Sequence, residues 1–237
     1  MPGDQHKSDD WKTGHKRSSL ISISGIDGSG KTTLCDVLNE NLKSEGRETA
    51  LVYGRYQPFI LKPIFNTWRS LSSQSKEIRN YDEYNRARGG ILSGRCVSGF
   101  FERLLVIDYI FRLNRKLRRA LKNNEIVICD RYIYDTVAMD LAFLRNIKDS
   151  EIERILESVE RRFPKPDVAV YLSVDEKTAI SRKNDIPDIA YSKDSRRLYE
   201  KIAEMRNLLY LDGLIAPNEN ANKIIQELSK KIPESAK

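Results

Sequence analysis

Histidine, cysteine and long apolar runs are all scarce in this chain of 237 residues. The 2 histidines stand near the N-terminus, and the 3 cysteines, Cys35, Cys96 and Cys129, lie far apart without a Cys-x-x-Cys pair. This usage argues against a disulfide framework and a His/Cys metal site, and it predicts that Cys35 and Cys129 are core thiols. No apolar run is long enough to span a membrane and the first residues are polar, so we expect no secretory signal and a cytoplasmic protein.

Positive charge, in contrast, is in excess. The chain carries 41 Lys and Arg against 34 Asp and Glu, a formal net charge of +7 at pH 7. A basic balance favours anionic partners such as nucleotides, nucleic acid or an acidic surface, although a bias toward solubility gives the same composition. Hydrophobic residues make up 40% of the chain and charged residues 32%, as in ordinary soluble domains.

The pattern along the chain predicts one domain with a tail at each end. Residues 1–18 are polar and aperiodic and are predicted to be a disordered tail, residues 19–232 a single domain, and residues 233–237 a C-terminal tail. The domain begins with a strand, a glycine turn, a helix and a second strand, which is a βαβ opening. This opening predicts an α/β fold with a parallel sheet of about five strands and helices on both faces.

The predicted elements follow from hydrophobic periodicity and from the placement of Pro and Gly. Strands are predicted at 20–23, 49–53, 126–129 and 168–174, with a short one at 214–216. Helices are predicted at 31–44, 132–144, 150–162 with Ser150 as N-cap, 176–183 and 196–211. A long basic helix is predicted at 99–122 and a closing helix at 219–231.

The first glycine turn carries a phosphate-binding motif. Residues 25–32, here called the phosphate loop, fit Gly-x-x-x-x-Gly-Lys-[Ser/Thr] between a strand and a helix. The backbone N–H groups of such a loop surround phosphates, the lysine reaches the β and γ oxygens, and the hydroxyl binds Mg²⁺. We expect the Lys31 ammonium to be exposed when no nucleotide is bound. The predicted ATP-binding residues are Gly25, Gly28, Ser29, Gly30, Lys31, Thr32 and Thr33.

A second motif, Asp130-Arg131-Tyr132, follows the strand at 126–129. An Asp at the carboxyl end of a strand beside the phosphate loop faces the ligand crevice, where it can hold a Mg²⁺ ion through water, and the adjacent Arg can bind a phosphate. Taken alone, this tripeptide fits a surface salt bridge that caps a helix better than it fits a binding site. The chain has no Asn-Lys-x-Asp element, which a GTPase would need to read guanine.

Together the two motifs resemble those of the thymidylate kinase family of nucleoside monophosphate kinases. The matching segments are Gly25–Thr33, Asp130–Ala138 and Pro164–Leu172, and the resemblance extends over residues 20–228. It implies a P-loop kinase fold, ATP and Mg²⁺ as cofactors, and transfer of the γ-phosphoryl group to a nucleoside monophosphate, dTMP.

The resemblance also implies roles for individual residues. Asp27 would approach the 3′-hydroxyl of the acceptor sugar, Arg131 would hold the acceptor phosphate, and Arg55 would grip a phosphate. Lys31 and Arg131 would serve catalysis, and Thr32 and Asp130 would bind the metal. The family commonly forms homodimers through the helices flanking the third strand, whereas the sequence itself indicates no oligomeric state. Nucleic acid and membrane are not expected partners.

Some members of the family carry a catalytic arginine in the phosphate loop and others supply it from a lid. The loop here has Gly28 and Ser29 and no arginine, so a lid over residues 183–194 is expected to supply the charge. Arg182, with Lys183 beside it, fits that place best. Arg196 and Arg197 are weaker candidates, and a solvated charged loop is the alternative interpretation of the segment.

The chain departs from the family where the acceptor base would be read. Counted back from Asp130, the places of the family's aromatic residue and arginine fall near Val106 and Ile110, and Asp135 replaces a serine. A slipped register explains the first two differences as well as substitution by the nearby residues Tyr109, Phe111 and Arg112 does. Two alternatives therefore stay open. The first is a kinase of another acceptor, such as a different nucleotide, a nucleoside or a polynucleotide 5′ end. The second is a nucleotide-binding regulator without catalytic activity.

Overall fold

The computed structural model describes residues 18–54, 110–142, 148–183 and 189–231. Within them, five strands form one sheet with the order β2-β3-β1-β4-β5, and every neighbouring pair is parallel. The strands are β1 (Ser19–Ser24), β2 (Thr49–Tyr53), β3 (Ile126–Asp130), β4 (Val168–Ser173) and β5 (Leu209–Asp212). The predicted α/β fold with a five-stranded parallel sheet is confirmed.

Helices cover both faces of this sheet. They are α1 (Lys31–Ser44), α2 (residues 110–123), α3 (Ile133–Asp135) continuing into a π-helix (Thr136–Ala142), α4 (Asp149–Glu160), α5 (Glu176–Arg182), α6 (Ile189–Arg206) and α7 (Pro217–Lys231). In the described part of the chain, none of them has the length and apolar content that a bilayer span requires.

The side chains of the strands alternate between two buried layers, one on each face of the sheet. In β1, Leu20 packs into the layer formed with α2, α4 and α6, whereas Ile21 and Ile23 pack into the layer formed with α1 and α7. Cys129 and Cys35 lie one in each layer as free, buried thiols, as predicted. Because successive side chains of β1 point to opposite faces of the sheet, this strand packs against helices on both faces, which is the arrangement of a doubly wound sheet.

The central position of β1 fixes the location of the predicted site. Its neighbour β3 pairs in register so that Ile23 lies opposite Asp130. The phosphate loop leaves the carboxyl end of β1, and Asp130 and Arg131 leave the adjacent end of β3. Because the carboxyl ends of parallel strands meet at one edge, the two sequence motifs face the same crevice.

Two element predictions near the C-terminus were wrong. The helix predicted for 196–211 ends at Arg206, and β5 covers Leu209–Asp212 instead of a strand at 214–216. Asn207 has a positive φ of 50°, a conformation that stops a helix and that Asn tolerates. The apolar residues that follow then pair with β4, and residues 214–216 connect β5 to α7.

Other boundaries also differ from the predictions. The N-cap of α4 is Lys148, and Ser150 lies in the first turn between Asp149 and Glu151, whose carboxylates suit the positive end of the helix. The helix predicted for 132–144 is a short α-helix followed by a π-helix. Helix α6 begins at Ile189, so the second half of the predicted lid is the start of a helix.

Several predictions fall outside the described residues and stay predictions. They concern residues 1–17, Arg55, Cys96, Val106, the middle of the lid at 184–188, and the C-terminal tail at 233–237. Ile110 is described, and it is partly buried against the core.

Candidate active site

The phosphate loop adopts a conformation that only glycine accommodates well at two of its positions. Gly28 and Gly30 have φ values of +83° and +95°. A Cβ atom on Gly28 would lie 2.3 Å from the backbone oxygen of Ala179 in α5. The loop is therefore packed directly against the backbone of α5, and Gly28 is required by both conformation and space, whereas Gly30 is required by its conformation.

Lys31 is buried rather than exposed, which corrects the expectation from the sequence. Its residue is only 5% exposed, and its ammonium donates hydrogen bonds to the carbonyl oxygens of Gly25 (2.8 Å) and Ile26 (2.6 Å) and to Ser29 Oγ (3.3 Å). The loop thus supplies substitute acceptors for the phosphate oxygens. Burial, together with the positive charge of Arg131, lowers the pKa of Lys31 to about 8.

This lowered pKa predicts a pH dependence of ATP binding. Below pH 8 the ammonium is already protonated, whereas above it the free protein has lost the proton that an anionic phosphate requires. Binding must then take up a proton, so affinity should fall up to about tenfold for each pH unit above about 8. We expect this fall in the Kd for ATP between pH 7 and pH 9.5. A flat profile in protein that circular dichroism shows to be folded would contradict the prediction.

Thr32 and Asp130 meet across the crevice. The Thr32 hydroxyl donates a hydrogen bond of 2.8 Å to Asp130 Oδ2. Asp130 Oδ1 is buried, and it finds no hydrogen-bond partner among the described residues. Burial raises the pKa of Asp130. A hydroxyl and a carboxylate with an unused oxygen form a hard-oxygen donor set that fits Mg²⁺.

Arg131 and Asp27 form an ion pair at the acceptor side of the loop. The Arg131 Nη2 atom donates to Asp27 Oδ1, and Lys183 Nζ lies 3.4 Å from Asp27 Oδ2. Burial acts to raise the pKa of Asp27, but the charges of Arg131 and Lys31 outweigh it and hold that pKa well below its usual range. Asp27 is therefore ionised, and it lies between the two cations predicted for substrate binding and for the lid.

Arg182 lies on the other side of the phosphate loop. Its Nη1 atom donates to the carbonyl oxygen of Gly213 at 3.2 Å, and it borders a pocket of about 260 Å³. Leu34, Leu172 and Pro217 contribute apolar walls to this pocket, which opens beside Gly30. Arg196, the weaker lid candidate, pairs with Glu200 and Glu176 instead.

The sequence did not assign a role to Asp135, which the structure places against Arg131. Asp135 is 4% exposed, and its Oδ1 atom lies 3.6 Å from Arg131 Nη1. It lines a cavity of about 20 Å³, which is the size of a water site, together with Asp27, Arg131 and Ser192. The only signal for it in the sequence was its departure from the family serine.

The structure thus brings the predicted site residues to one edge of the sheet. Loop residues Gly25–Thr33 lie beside Asp130 and Arg131, with Arg182 bordering the loop. Arg55, which follows β2 and was predicted to bind a phosphate, lies outside the described residues.

Two family models match segments of this chain. Residues 96–232 match the family model described as Thymidylate kinase, and residues 4–86, which include the phosphate loop, match a model described as Nephrocystin 3, N-terminal. The first match covers more than half of the chain and includes β3, Asp130 and Arg131.

Proteins similar over nearly the full length bear the same name. A thymidylate kinase of Leptospira interrogans is 28% identical over 90% of this chain and 93% of its own. A probable thymidylate kinase 1 of Saccharolobus solfataricus is 29% identical over 88% of this chain and 97% of its own. A thymidylate kinase of Prochlorococcus marinus is 28% identical over 91% and 96%. With the phosphate loop and the Asp-Arg-Tyr motif at one sheet edge, this chain belongs to the thymidylate kinase family.

Proposed function

We propose that the protein transfers the γ-phosphoryl group of ATP to dTMP, forming dTDP and ADP. The observation that carries this proposal is the position of Arg131. It lies at the end of β3, beside the phosphate loop that follows β1, and it pairs with Asp27 of that loop. An arginine in this place can hold an acceptor phosphate within reach of a phosphate bound by the loop.

The chain's own residues provide the steps of an in-line transfer. The backbone N–H groups of the phosphate loop and the Lys31 ammonium bind the β and γ phosphates, for which Lys31 exchanges its bonds to the loop carbonyls. Arg131 orients the acceptor phosphate, and Asp27 accepts a hydrogen bond from the 3′-hydroxyl of the sugar. The loose transition state needs positioning and positive charge rather than a covalent intermediate.

Donor binding extends into the pocket beside Gly30. Its apolar walls and its position next to the loop suit the adenine of ATP, with the Arg182 guanidinium at its border. The Arg182 side chain can then either contact the nucleotide in this pocket or release Gly213 and reach the transferring group.

Thr32 and Asp130 would hold Mg²⁺, since Asp130 Oδ1 lacks a hydrogen-bond partner within the described ranges and lies beside the hydroxyl. Magnesium supplies positive charge for the phosphate oxygens when it is bound. The lid and the homodimer are parts of this proposal that rest on the resemblance, whereas the cytoplasmic location is expected from the sequence by elimination.

A panel of acceptors tests the function. Purified protein with ATP and Mg²⁺ is incubated with dTMP, dUMP, dCMP, dGMP, dAMP and a 5′-hydroxyl oligonucleotide, and ADP release is followed. We expect dTMP to have the highest kcat/KM and EDTA to abolish turnover. Preference for another acceptor would favour the alternative of a kinase with a different substrate, which was suggested by the altered residues at 106 and 110. ATP binding without transfer to any acceptor would favour a regulator.

A further inference from the structure

We propose that Asp135 is a positioning residue that holds Arg131 in place when the acceptor phosphate displaces Asp27 from it. This inference rests on the proposed function, because it concerns the arginine assigned to the acceptor phosphate. It starts from the two carboxylates that flank Arg131. Asp27 pairs with the Nη2 atom, and Asp135 Oδ1 lies 3.6 Å from the Nη1 atom.

The two carboxylates differ in their other contacts. Asp27 belongs to the phosphate loop and also pairs with Lys183, whose side chain is 36% exposed. Asp135, in contrast, is fixed inside the protein. Its Oδ2 atom accepts a hydrogen bond of 2.9 Å from the Tyr132 backbone N–H, and its Oδ1 atom accepts one of 2.9 Å from the Tyr199 hydroxyl.

Tyr199 is itself fixed by its surroundings. It is 2% exposed, and its ring stacks on Tyr171 with centroids 6.1 Å apart and an interplanar angle of 7°. The position of Asp135 is therefore set by α3, by α6 and by the aromatic stack above β4. Both of its oxygens are engaged within the protein, so Asp135 is not free to read the acceptor base directly.

An acceptor phosphate binds a guanidinium through the same edge as a carboxylate does. Because Asp27 occupies the Nη2 atom, a phosphate that binds Arg131 through this atom takes the place of Asp27. Within the described ranges, Asp135 is then the carboxylate that remains paired with Arg131. Arg131 also has a positive φ of 68°, which is uncommon for a residue other than glycine.

Asp135→Asn removes the charge and keeps the shape, and Asp135→Ser introduces the family's residue. For both variants we expect kcat/KM for dTMP to fall at least tenfold, while the KM for ATP stays within about twofold. Tyr199→Phe is an intermediate variant, because it removes one of the two hydrogen bonds that fix Asp135 but leaves the carboxylate and the ring stack, and we expect a smaller fall for it than for Asp135→Asn. Asp36→Asn, at an exposed aspartate of α1, is the matched control, and we expect it to leave kcat/KM for dTMP within about twofold of wild type.

A double-mutant cycle with Arg131→Ala separates positioning from a general structural role. If Asp135 acts through Arg131, then Asp135→Asn changes kcat/KM for dTMP less than twofold in the Arg131→Ala background. Additive losses would overturn the proposal. So would a rise in kcat/KM in the single variant, since Asp135 would then only repel the phosphate.

Crystal structures of Asp27→Ala and of Asp27→Ala/Asp135→Asn keep the inference separate from the proposed function, because both lack the Asp27 carboxylate that otherwise pairs with Arg131. We expect the Arg131 guanidinium to stay beside residue 135 in the first variant and to move away from it in the second. An unmoved guanidinium in the second variant would overturn the positioning role, even if the wild-type protein phosphorylates no nucleoside monophosphate. Wild-type protein without dTMP kinase activity would instead refute the proposed function.

Discussion

Replacing Lys31 with alanine is expected to reduce kcat/KM for ATP by at least about a thousandfold while the fold is retained. The ammonium is the single side-chain cation within the described part of the phosphate loop, and it donates hydrogen bonds to Gly25, Ile26 and Ser29. Its loss removes the charge that stabilises the β and γ oxygens in the transition state.

Lys43→Ala is the matched control for this variant. Lys43 is an exposed lysine in the last turn of the same helix, away from the loop. We expect its kinetics to stay within about twofold of wild type. Thermal unfolding of both variants checks that the loss with Lys31→Ala does not come from unfolding. Undiminished turnover by folded Lys31→Ala protein would contradict the kinase function.

The second large effect is expected for Arg182→Ala, which should lower kcat at least about a hundredfold and change the Kd for ATP little. The phosphate loop lacks an arginine, so a charge from the lid side is expected to act on the transferring group, and such charges act mostly in the transition state. Arg182→Lys should recover only part of the loss, because an ammonium does not span two phosphoryl oxygens.

The position of Arg182 also defines the result that would contradict a catalytic role. Arg182 borders the pocket beside Gly30 and donates to the Gly213 carbonyl oxygen. A variant that binds ATP more weakly but turns over normally at saturation would limit Arg182 to the nucleotide pocket. Lys183, whose Nζ atom lies 3.4 Å from Asp27, would then be the next cation to replace.

The sequence predicted correctly those helices and strands whose formation depends on motifs and hydrophobic patterns within a short segment. The phosphate motif between a strand and a helix predicted α1 to begin at Lys31, where it does begin. The apolar runs predicted β3 and β4, and their parallel pairing on either side of β1 explains why Asp130 and Arg131 lie beside the loop.

Contacts between distant segments could not be predicted in the same way. The bond from Tyr199 to Asp135 joins residues 64 positions apart, and it depends on how α6 packs over the sheet. The burial of Lys31 depends on carbonyl groups that turn inward only in the folded loop. The short apolar run that forms β5 was predicted to be the end of a helix, because a run of this length fits the periodicity of a helix and that of a strand. Its pairing with β4, which the local sequence does not reveal, makes it a strand.

The close packing of Gly28 against α5 limits how this lineage can change its chemistry. Because a Cβ on Gly28 would come within 2.3 Å of the Ala179 carbonyl oxygen, an arginine substituted there would collide with the helix backbone. If the catalytic charge moved from the lid to this position of the loop, the first substitution would produce a strained protein unless α5 had shifted beforehand. Loop and helix are expected to evolve as a linked pair, with the order of their substitutions constrained.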